Sequence, residues 1–365
     1  GDGKILINDG QTVNISDGWM LPSIDLQNGT LNAPSSGSMT FNNAESFIIG
    51  NNGTFNYNNG TITLIDSGDG PTIFTIDFPS SLEINNLVVN LANDAYNLAV
   101  ATGDTLEVNG TLTLTEGSFR SGTIDLNGTL SGSATFGGGD GDILIDDGQT
   151  VNITDGWVLP GIDLQNGTLN APTNDGTMIF ANAADFTIGD NGTFNHNNGT
   201  VAFYWKNASS TTAIIDVQTT ENFYNLSVDL PNNAYTLTVA SGDTIIVNGI
   251  LNLDVGKVST GTIEAKGDVN LSGTFGGGTS PITFTGTGTQ TMSVASGAVL
   301  PSGIITVNKA SGSAIISGTS TILNDINLTS GTLDFAGGSS GGNTYTITAN
   351  KTITTSAGTS LRFNG

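Results

Sequence analysis

Residues 8–34 read NDGQTVNISDGWMLPSIDLQNGTLNAP, and residues 146–172 read DDGQTVNITDGWVLPGIDLQNGTLNAP. These two stretches are nearly identical and lie 138 residues apart. After a one-residue insertion near Asp175, an offset of 139 residues holds as far as the glycine run at 276–278. The repetition divides the chain into copy 1 (residues 1–138), copy 2 (residues 139–278) and a divergent third segment (residues 279–365). We expect the three to form one continuous rod, because internal repeats of this kind build stacked architectures.

Each copy consists of short alternating runs that end at glycine or asparagine, such as Thr111–Thr115 and Thr236–Val239. Alternation of Thr, Val, Leu and Ile with a period of two indicates β-strands. The Asn-Gly and Asp-Gly pairs between these runs indicate tight turns. No stretch of a dozen residues has the apolar stripe of an amphipathic helix. The sequence therefore predicts an all-β fold.

The spacing of the turns favours stacked parallel strands over hairpins. Asn-Gly pairs also connect antiparallel strands, so a sandwich or a propeller has to be considered. Turn motifs such as Asn109–Thr111 and Asn127–Thr129 nevertheless recur at about 20 residues, the length of a solenoid rung. We predict a parallel β-helix with a thin core of Val, Ile, Leu and Thr that leaves little room for large aromatic side chains.

The charge of the chain excludes several classes of function. Its 365 residues include 32 acidic and 8 basic side chains, and the formal net charge is -24. Because such a surface repels phosphate groups, we expect no nucleic acid partner. No run of 18 apolar residues is present, so we expect no membrane insertion. The chain has no cysteine, which rules out disulfide bonds.

Acidic residues cluster at the junction between the copies and predict a calcium site. Asp140, Asp142, Asp146 and Asp147 lie on or beside tight glycine turns, and carboxylate oxygens suit a hard cation. Residues 137–143 resemble the glycine-rich repeat of calcium-binding β-rolls, although the aspartate falls one position early. The alternative is that these side chains only close Asx turns at a rung corner.

An aromatic cluster is present in copy 2 alone. Phe203, Tyr204, Trp205 and Lys206 occupy positions that hold Leu-Ile-Asp-Ser (64–67) in copy 1. Neighbouring strand residues point to opposite faces, so either Phe203 and Trp205 or Tyr204 and Lys206 should face outward. We predict a contact for glycan or for another subunit here, with a locally widened core as the alternative.

The distribution of acidic residues and of threonines argues against two further functions, polysaccharide cleavage and ice binding. A polysaccharide-cleaving enzyme would need clustered carboxylates or a carboxylate with a basic partner, whereas the acidic residues here are spread along the turns. We therefore predict that the chain is not an enzyme. Ice binding would need aligned rows of threonine, and the Thr-x-Thr pairs at 61/63, 111/113, 236/238 and 344/346 are irregularly spaced.

The later part of the chain contains segments that are similar in sequence to a known group of proteins. Residues 305–312 (ITVNKASG), 326–335 (INLTSGTLDF) and 239–249 (VASGDTIIVNG) resemble the β-strand repeats of large bacterial surface proteins of the filamentous-haemagglutinin-like or adhesin-like type. This resemblance implies export, a right-handed parallel β-helix and a role in attachment or surface structure. It transfers no functional residue.

Together these features predict an extracellular or cell-surface structural protein, a rigid filament or adhesin stalk. No cap is evident at either end of the sequence, so we expect self-association end to end into a homo-oligomer or filament. The alternative is a glycan-binding or polysaccharide-cleaving β-helix that recognises cell-surface glycans. No cofactor is predicted apart from calcium.

Overall fold

The computed structural model of the protein describes residues 3–205, 210–318, 320–322, 324–336, 345–348 and 350–364. Regular secondary structure in these residues consists of β-strands, without a helix. They accordingly contain no helix that is long and apolar enough to cross a bilayer. The prediction of an all-β parallel solenoid is confirmed.

Copy 1 contributes eighteen strands. They are β1 (Lys4–Ile7), β2 (Gln11–Asn14), β3 (Trp19–Leu21), β4 (Ser23–Leu26), β5 (Gly29–Asn32), β6 (Ser38–Asn42), β7 (Ser46–Ile49), β8 (Thr54–Asn56), β9 (Thr61–Ile65), β10 (Ile73–Asp77), β11 (Ser81–Ile84), β12 (Asn86–Asn90), β13 (Asn97–Val100), β14 (Thr105–Val108), β15 (Thr111–Glu116), β16 (Ser118–Ser121), β17 (Thr123–Leu126) and β18 (Thr129–Ser131).

The remaining strands begin just after the junction. They are β19 (Asp142–Ile145), β20 (Thr150–Asn152), β21 (Val158–Leu159), β22 (Gly161–Leu164), β23 (Thr168–Asn170), β24 (Thr177–Phe180), β25 (Phe186–Ile188), β26 (Thr193–Asn195), β27 (Thr200–Tyr204), β28 (Thr212–Val217), β29 (Thr220–Phe223), β30 (Asn225–Asp229), β31 (Thr236–Val247), β32 (Leu251–Ala265), β33 (Val269–Gly278), β34 (Ile282–Phe284), β35 (Gln290–Val294), β36 (Ile305–Ser317), β37 (Ser320–Ile322), β38 (Ile326–Ala336), β39 (Tyr345–Ile347), β40 (Ile353–Thr355) and β41 (Ser360–Asn364).

The packing divides the chain into two compact units, which cut across the repeat copies. The N-terminal unit comprises Gly1–Asn170 and Phe180–Asn195, and the C-terminal unit comprises Ala171–Ile179 and His196–Gly365. In both units the strands pair in parallel. In the C-terminal unit one long strand often covers two pairing stretches, as in β31, whose register on β32 shifts between Val239 and Thr244.

Three strands make one turn in copy 1, which gives the solenoid three faces. Face A is the six-stranded sheet β1-β4-β7-β10-β13-β16, and face C is the six-stranded sheet β3-β6-β9-β12-β15-β18. Face B consists of the second strand of each turn, in the ladders β2-β5-β8 and β11-β14-β17. Turns differ in length, since Gln11 pairs with Gly29 whereas Thr30 pairs with Thr54. Rungs of unequal length thus keep their strands in register.

Alternation along each strand places one set of side chains inside the solenoid. In β4, Ile24 and Leu26 are buried while Asp25 between them is not, and the same pattern recurs in β9 and β15. Polar side chains continue the stacking on the outside, where Asn32 Nδ2 donates to Asn14 Oδ1 at 2.7 Å and Asn56 Nδ2 donates to Asn32 Oδ1 at 2.6 Å. The parallel ladders bond the backbone groups from rung to rung.

Phenylalanine is a main component of the core, contrary to the sequence prediction of a core too thin for large aromatics. Phe180 and Phe186 are fully buried, and their rings stack with centroids 5.0 Å apart. Phe41 and Phe47 repeat the contact in copy 1 at 5.4 Å. Phe41 lies on β6 of face C and Phe47 lies on β7 of face A, so the two rings meet inside the core between adjoining faces.

The C-terminal unit also buries a lysine. The side chain of Lys309 is 1% exposed, and its Nζ donates to Gly286 O at 2.6 Å and to Gln290 Oε1. Gln290 Nε2 in turn donates to the carbonyl oxygens of Ala265 and Gly267, at 2.8 Å each. Burial lowers the pKa of Lys309, because the ammonium group is removed from water.

The first strand of copy 2 lies on face B, whereas the first strand of copy 1 lies on face A. A short segment of residues 136–141 first continues face A, where Gly117 pairs with Phe136 and Phe119 N donates to Gly138 O at 2.8 Å. The next strand, β19, then pairs with β17 of face B, with Ile124 beside Ile143. The equivalent of β19 in copy 1 is β1, which lies on face A. One copy therefore makes six full turns of three strands, and residues 136–141 add a further third of a turn.

Two glycines permit this junction. Gly139 has a φ of +123°, and a Cβ at this position would lie 2.2 Å from the carbonyl oxygen of Phe119. Gly138 also has a positive φ, of +75°. The C-terminal unit repeats the strand pairing of this junction, since Gly256 pairs with Phe275 and Ile263 pairs with Ile282.

Candidate functional site

Carboxylates that the sequence scatters over several rungs meet beside the junction. In the first group, Asp142 of β19 pairs with Gly161, and Asp163 lies one turn along on β22. Burial is the main cause that raises the pKa of Asp142 from 3.8 to about 6, and the negative charges of Asp185, Asp163 and Asp140 add to the rise. The charged form is therefore disfavoured at this position.

A second group forms around Asp125 on β17. Asp125 pairs directly with Glu107 on the preceding rung. Burial, followed by the charges of Asp146, Glu107 and Asp147, raises the pKa of Asp125 from 3.8 to about 6. Burial and the charge of Asp147 also raise the pKa of Asp146. Oδ1 atoms of Asp125 and Asp146 are both buried without a hydrogen-bond partner.

Copy 1 has an ion pair where copy 2 has two carboxylates. Lys4 and Asp25 occupy the positions that correspond to Asp142 and Asp163. Lys4 Nζ lies 2.8 Å from Asp25 Oδ2, and the hydrogen bond from Lys4 lowers the pKa of Asp25. Copy 2 has an aspartate where copy 1 has this lysine, so the ion pair of copy 1 has no equivalent at Asp142 and Asp163.

The four predicted calcium ligands fall into both groups, Asp140 and Asp142 into the first and Asp146 and Asp147 into the second. The charge of Asp163 in the first group also raises the pKa of Asp146 in the second. Within the described ranges no set of three or more Asp, Glu, His or Cys residues has the geometry of a metal site. Calcium binding here stays a prediction.

Sequence inspection missed four members of these groups: Glu107, Asp125, Asp163 and Asp185. They belong to other rungs, and only the strand register brings them close to the junction. One available signal was the alignment of the copies, which places Asp142 opposite Lys4. A basic residue in one copy and an acidic residue at the equivalent position of the other indicate a difference in local charge, which the overall composition does not show.

The aromatic cluster of copy 2 is mostly internal. Phe203 is fully buried and Trp205 is 3% exposed, so neither can form a contact surface, and that part of the prediction is wrong. Trp205 packs edge-on against Tyr235, with ring centroids 5.3 Å apart. Tyr204 points outward and is 40% exposed. Lys206 lies outside the described residues.

A shallow polar groove on copy 1 has a better composition for sugar binding. It has a volume of about 440 Å³ and is lined by residues 55–59 together with Ser35. Tyr57 OH donates to Glu83 Oε2 at 2.9 Å, and this hydrogen bond raises the pKa of Tyr57. In copy 2 the equivalent positions hold His196 and Asn222, and the His196 ring stacks on Tyr224 with centroids 5.8 Å apart.

Comparison with known proteins finds no protein-family model, curated protein or solved structure that matches the chain. The fold that the surface-protein resemblance implied is present, because the structure is a parallel β-solenoid. Membership of the filamentous-haemagglutinin-like group stays a prediction.

Proposed function

We propose that the chain is an extracellular structural protein that acts as a rigid spacer in a surface filament or an adhesin stalk. The observation that supports this role is the in-register pairing of successive rungs within each unit, over a core that is buried throughout. In the N-terminal unit, for example, β9 pairs with both β6 and β12 along all five of its residues. Deformation would have to break a whole ladder of hydrogen bonds at once.

Single-molecule force spectroscopy on the full chain tests this proposal. Stretching is expected to release the chain in discrete steps whose lengths correspond to one or more rungs, because each rung contacts only its neighbours. A control variant, Phe186→Ala, removes a fully buried ring from the stack and should lower the force of one group of steps. Extension at low force without steps would contradict the spacer role.

The location and the self-association are tested separately. Antibody labelling of intact cells that make the protein is expected to stain their surface, and staining only after permeabilisation would refute an extracellular role. Sedimentation velocity over a wide concentration range reports the assembly state. Filaments or a defined homo-oligomer are expected for a filament subunit, whereas a monomer at every concentration favours a stalk segment.

Glycan binding is the second candidate, and the groove beside Tyr57 favours it. The half-buried ring of Tyr57 can cover a sugar face, while nearby amides and the Glu83 carboxylate can bond hydroxyl groups. Glycan-array binding should be lost in Tyr57→Ala and kept in His196→Ala, the equivalent change in copy 2. Equal loss in both variants, or no bound glycan, would reject this groove. We expect no turnover of any bound polysaccharide.

A further inference from the structure

Face C of copy 1 carries two aligned columns of small polar side chains on its outer surface. The first column consists of Ser38, Thr61, Asn86, Thr111 and Thr129. Strand pairing places Thr61 between Ser38 and Asn86, and Thr111 beside Thr129. Thr111 N donates to Asn86 Oδ1 at 2.8 Å, and the Thr111 and Thr129 hydroxyls are 3.0 Å apart. The column is held in place by its own hydrogen bonds.

The second column lies two residues further along the same strands and consists of Thr40, Thr63, Val88, Thr113 and Ser131, and it ends beside the exposed Met20 of β3. Each member pairs directly with the next, across four successive strand pairs. All five side chains are half-buried. In the part of the chain that the structure describes, the hydroxyls of the three threonines have no protein hydrogen-bond partner. Four of the five members carry a methyl group beside the strand, and four carry a hydroxyl that can bond water.

The alignment overturns the spacing argument against ice binding for two of the Thr-x-Thr pairs. Thr63 and Val88 are 25 residues apart, while Thr113 and Ser131 are 18 apart, yet all four lie in one column. Turns of unequal length absorb the difference. Thr61 and Thr63 therefore share their columns with Thr111 and Thr113. The pair at 344/346 has its first member outside the described residues.

This surface is uncharged, although the chain as a whole carries a net charge of -24. All ten positions of the two columns hold Ser, Thr, Asn or Val. On the neighbouring face B, the same turns present Glu83, Glu107 and Asp125 in one column. Acidic side chains also lie on face A, such as Asp25, and on face C beyond the two columns, where Glu116 pairs with Asn90. A neutral surface of this size suits a neutral partner, and the absence of aromatic rings in its columns gives a sugar no face to stack on.

The columns form a two-dimensional lattice with fixed spacings. Neighbouring strands lie about 4.8 Å apart, and alternate residues along a strand lie about 6.7 Å apart. Both distances are close to repeats of the oxygen positions in hexagonal ice. Methyl groups order the water beside them, while hydroxyls at regular intervals can join a water lattice by hydrogen bonds. A rigid sheet holds these groups in place before contact, so little conformational entropy is lost on binding.

We propose that this surface, which we name the threonine face, binds the surface of ice crystals. The function is separate from the spacer role and does not depend on it. Copy 2 offers a matched control, because the positions equivalent to Thr40, Thr63 and Thr111 hold Ile179, Ala202 and Ile250. Copy 2 has therefore lost most hydroxyls of the pattern on its equivalent strands, and it should contribute little to ice binding.

The test uses the full chain and three single variants. Thr63→Lys places a long charged side chain in the centre of the threonine face, and Ala202→Lys makes the same change at the equivalent position of copy 2. Thr63→Val keeps the methyl group and removes the hydroxyl. Circular dichroism and thermal unfolding confirm that each variant folds, which is expected because these side chains point outward.

The readouts are thermal hysteresis of freezing, the shape of growing ice crystals and the fraction of protein taken up by a slowly growing ice hemisphere. The wild-type chain and Ala202→Lys are expected to shape ice and be taken up equally. Thr63→Lys should lose most of the hysteresis and uptake, and Thr63→Val should retain part. Absence of all three effects in the wild-type chain would overturn the proposal, as would equal losses in the two lysine variants.

Two other partners of the threonine face would give results distinct from those of ice binding. If the threonine face joins two copies of the chain, sedimentation will show a dimer that Thr63→Lys dissociates, without ice uptake. If it lies on a crystalline polysaccharide, the chain will co-sediment with cellulose or chitin microcrystals and not enter ice. Either result would overturn ice binding for this surface.

Discussion

The pair of carboxylates at Asp142 and Asp163 gives the sharpest quantitative prediction. Asp142→Asn keeps the shape of the side chain and removes its charge. The pKa of Asp142 is raised from 3.8 to about 6. A difference of about two pH units, at 1.36 kcal/mol each, corresponds to about 3 kcal/mol. Partial contact with water reduces the effect, so we expect the variant to be more stable by about 1.5–3 kcal/mol at pH 7.

The sign of the pH dependence follows from the direction of the shift. A carboxyl whose pKa is higher in the folded state binds more protons there, so stability falls as the pH rises from about 4 to about 6. Below pH 4 the carboxyl is protonated in both states, and Asp142→Asn should have little effect. The gain should grow between about pH 4 and about pH 6 and be complete above pH 6. Asp125 should add a pH dependence of the same direction.

Hydrogen exchange of the β19 amides is the suitable assay, since a repeat array need not unfold in one step. At pH 7 their exchange should slow by about 10- to 100-fold in the variant, because each 1.4 kcal/mol is a factor of ten. The matched control in copy 1 is Asp25→Asn, which breaks an ion pair and should accelerate exchange slightly. Unchanged rates at pH 7, or equal slowing at pH 4 and pH 7, would refute the electrostatic reasoning.

Three further predictions concern the core, the junction and calcium. Lys309→Met should leave the free energy of unfolding unchanged or raise it by about 1–3 kcal/mol, because it removes a buried charge without a counter-ion. Gln290→Leu, which removes an acceptor from that charge, should lower it by about 3 kcal/mol, and denaturant titration compares the two. Gly139→Ala should cost more than about 2 kcal/mol, whereas Gly148→Ala, with a φ of +75° and open space, should cost about 1 kcal/mol in the same titration. Millimolar calcium should raise the thermal midpoint more at pH 7 than at pH 4.5, since protons compete for the junction carboxylates, and an equal rise at both values would indicate diffuse binding.

Much of the fold could be predicted from the sequence, because period-two alternation and turn residues are local signals. The rotation between copies could not, since it depends on residues 136–141 adding one short segment to face A. The stacked Phe180 and Phe186 were also missed. Scarcity of aromatics in the composition does not reveal that those present meet one another inside the core.

The candidate sites show the same limit. Asp142 and Asp146 were recognisable as acidic turn residues, but their partners Asp163 and Asp125 lie on other rungs and have no sequence proximity. The irregular spacing of the Thr-x-Thr pairs along the chain predicts no rows of threonine, whereas strand pairing aligns two of the pairs. A solenoid sets its columns by strand pairing, so distances along the chain do not measure distances along a face.

The junction of six turns and a third has an evolutionary consequence. Duplication of such a unit is compatible with the fold because each face offers the same backbone hydrogen bonds to the next strand, whichever face that strand came from. The first strand of copy 2 accordingly follows β17 on face B, whereas its equivalent in copy 1 lies on face A. Equivalent side chains of the two copies therefore meet different neighbours, so the two copies can diverge at such positions, as at Lys4 and Asp142.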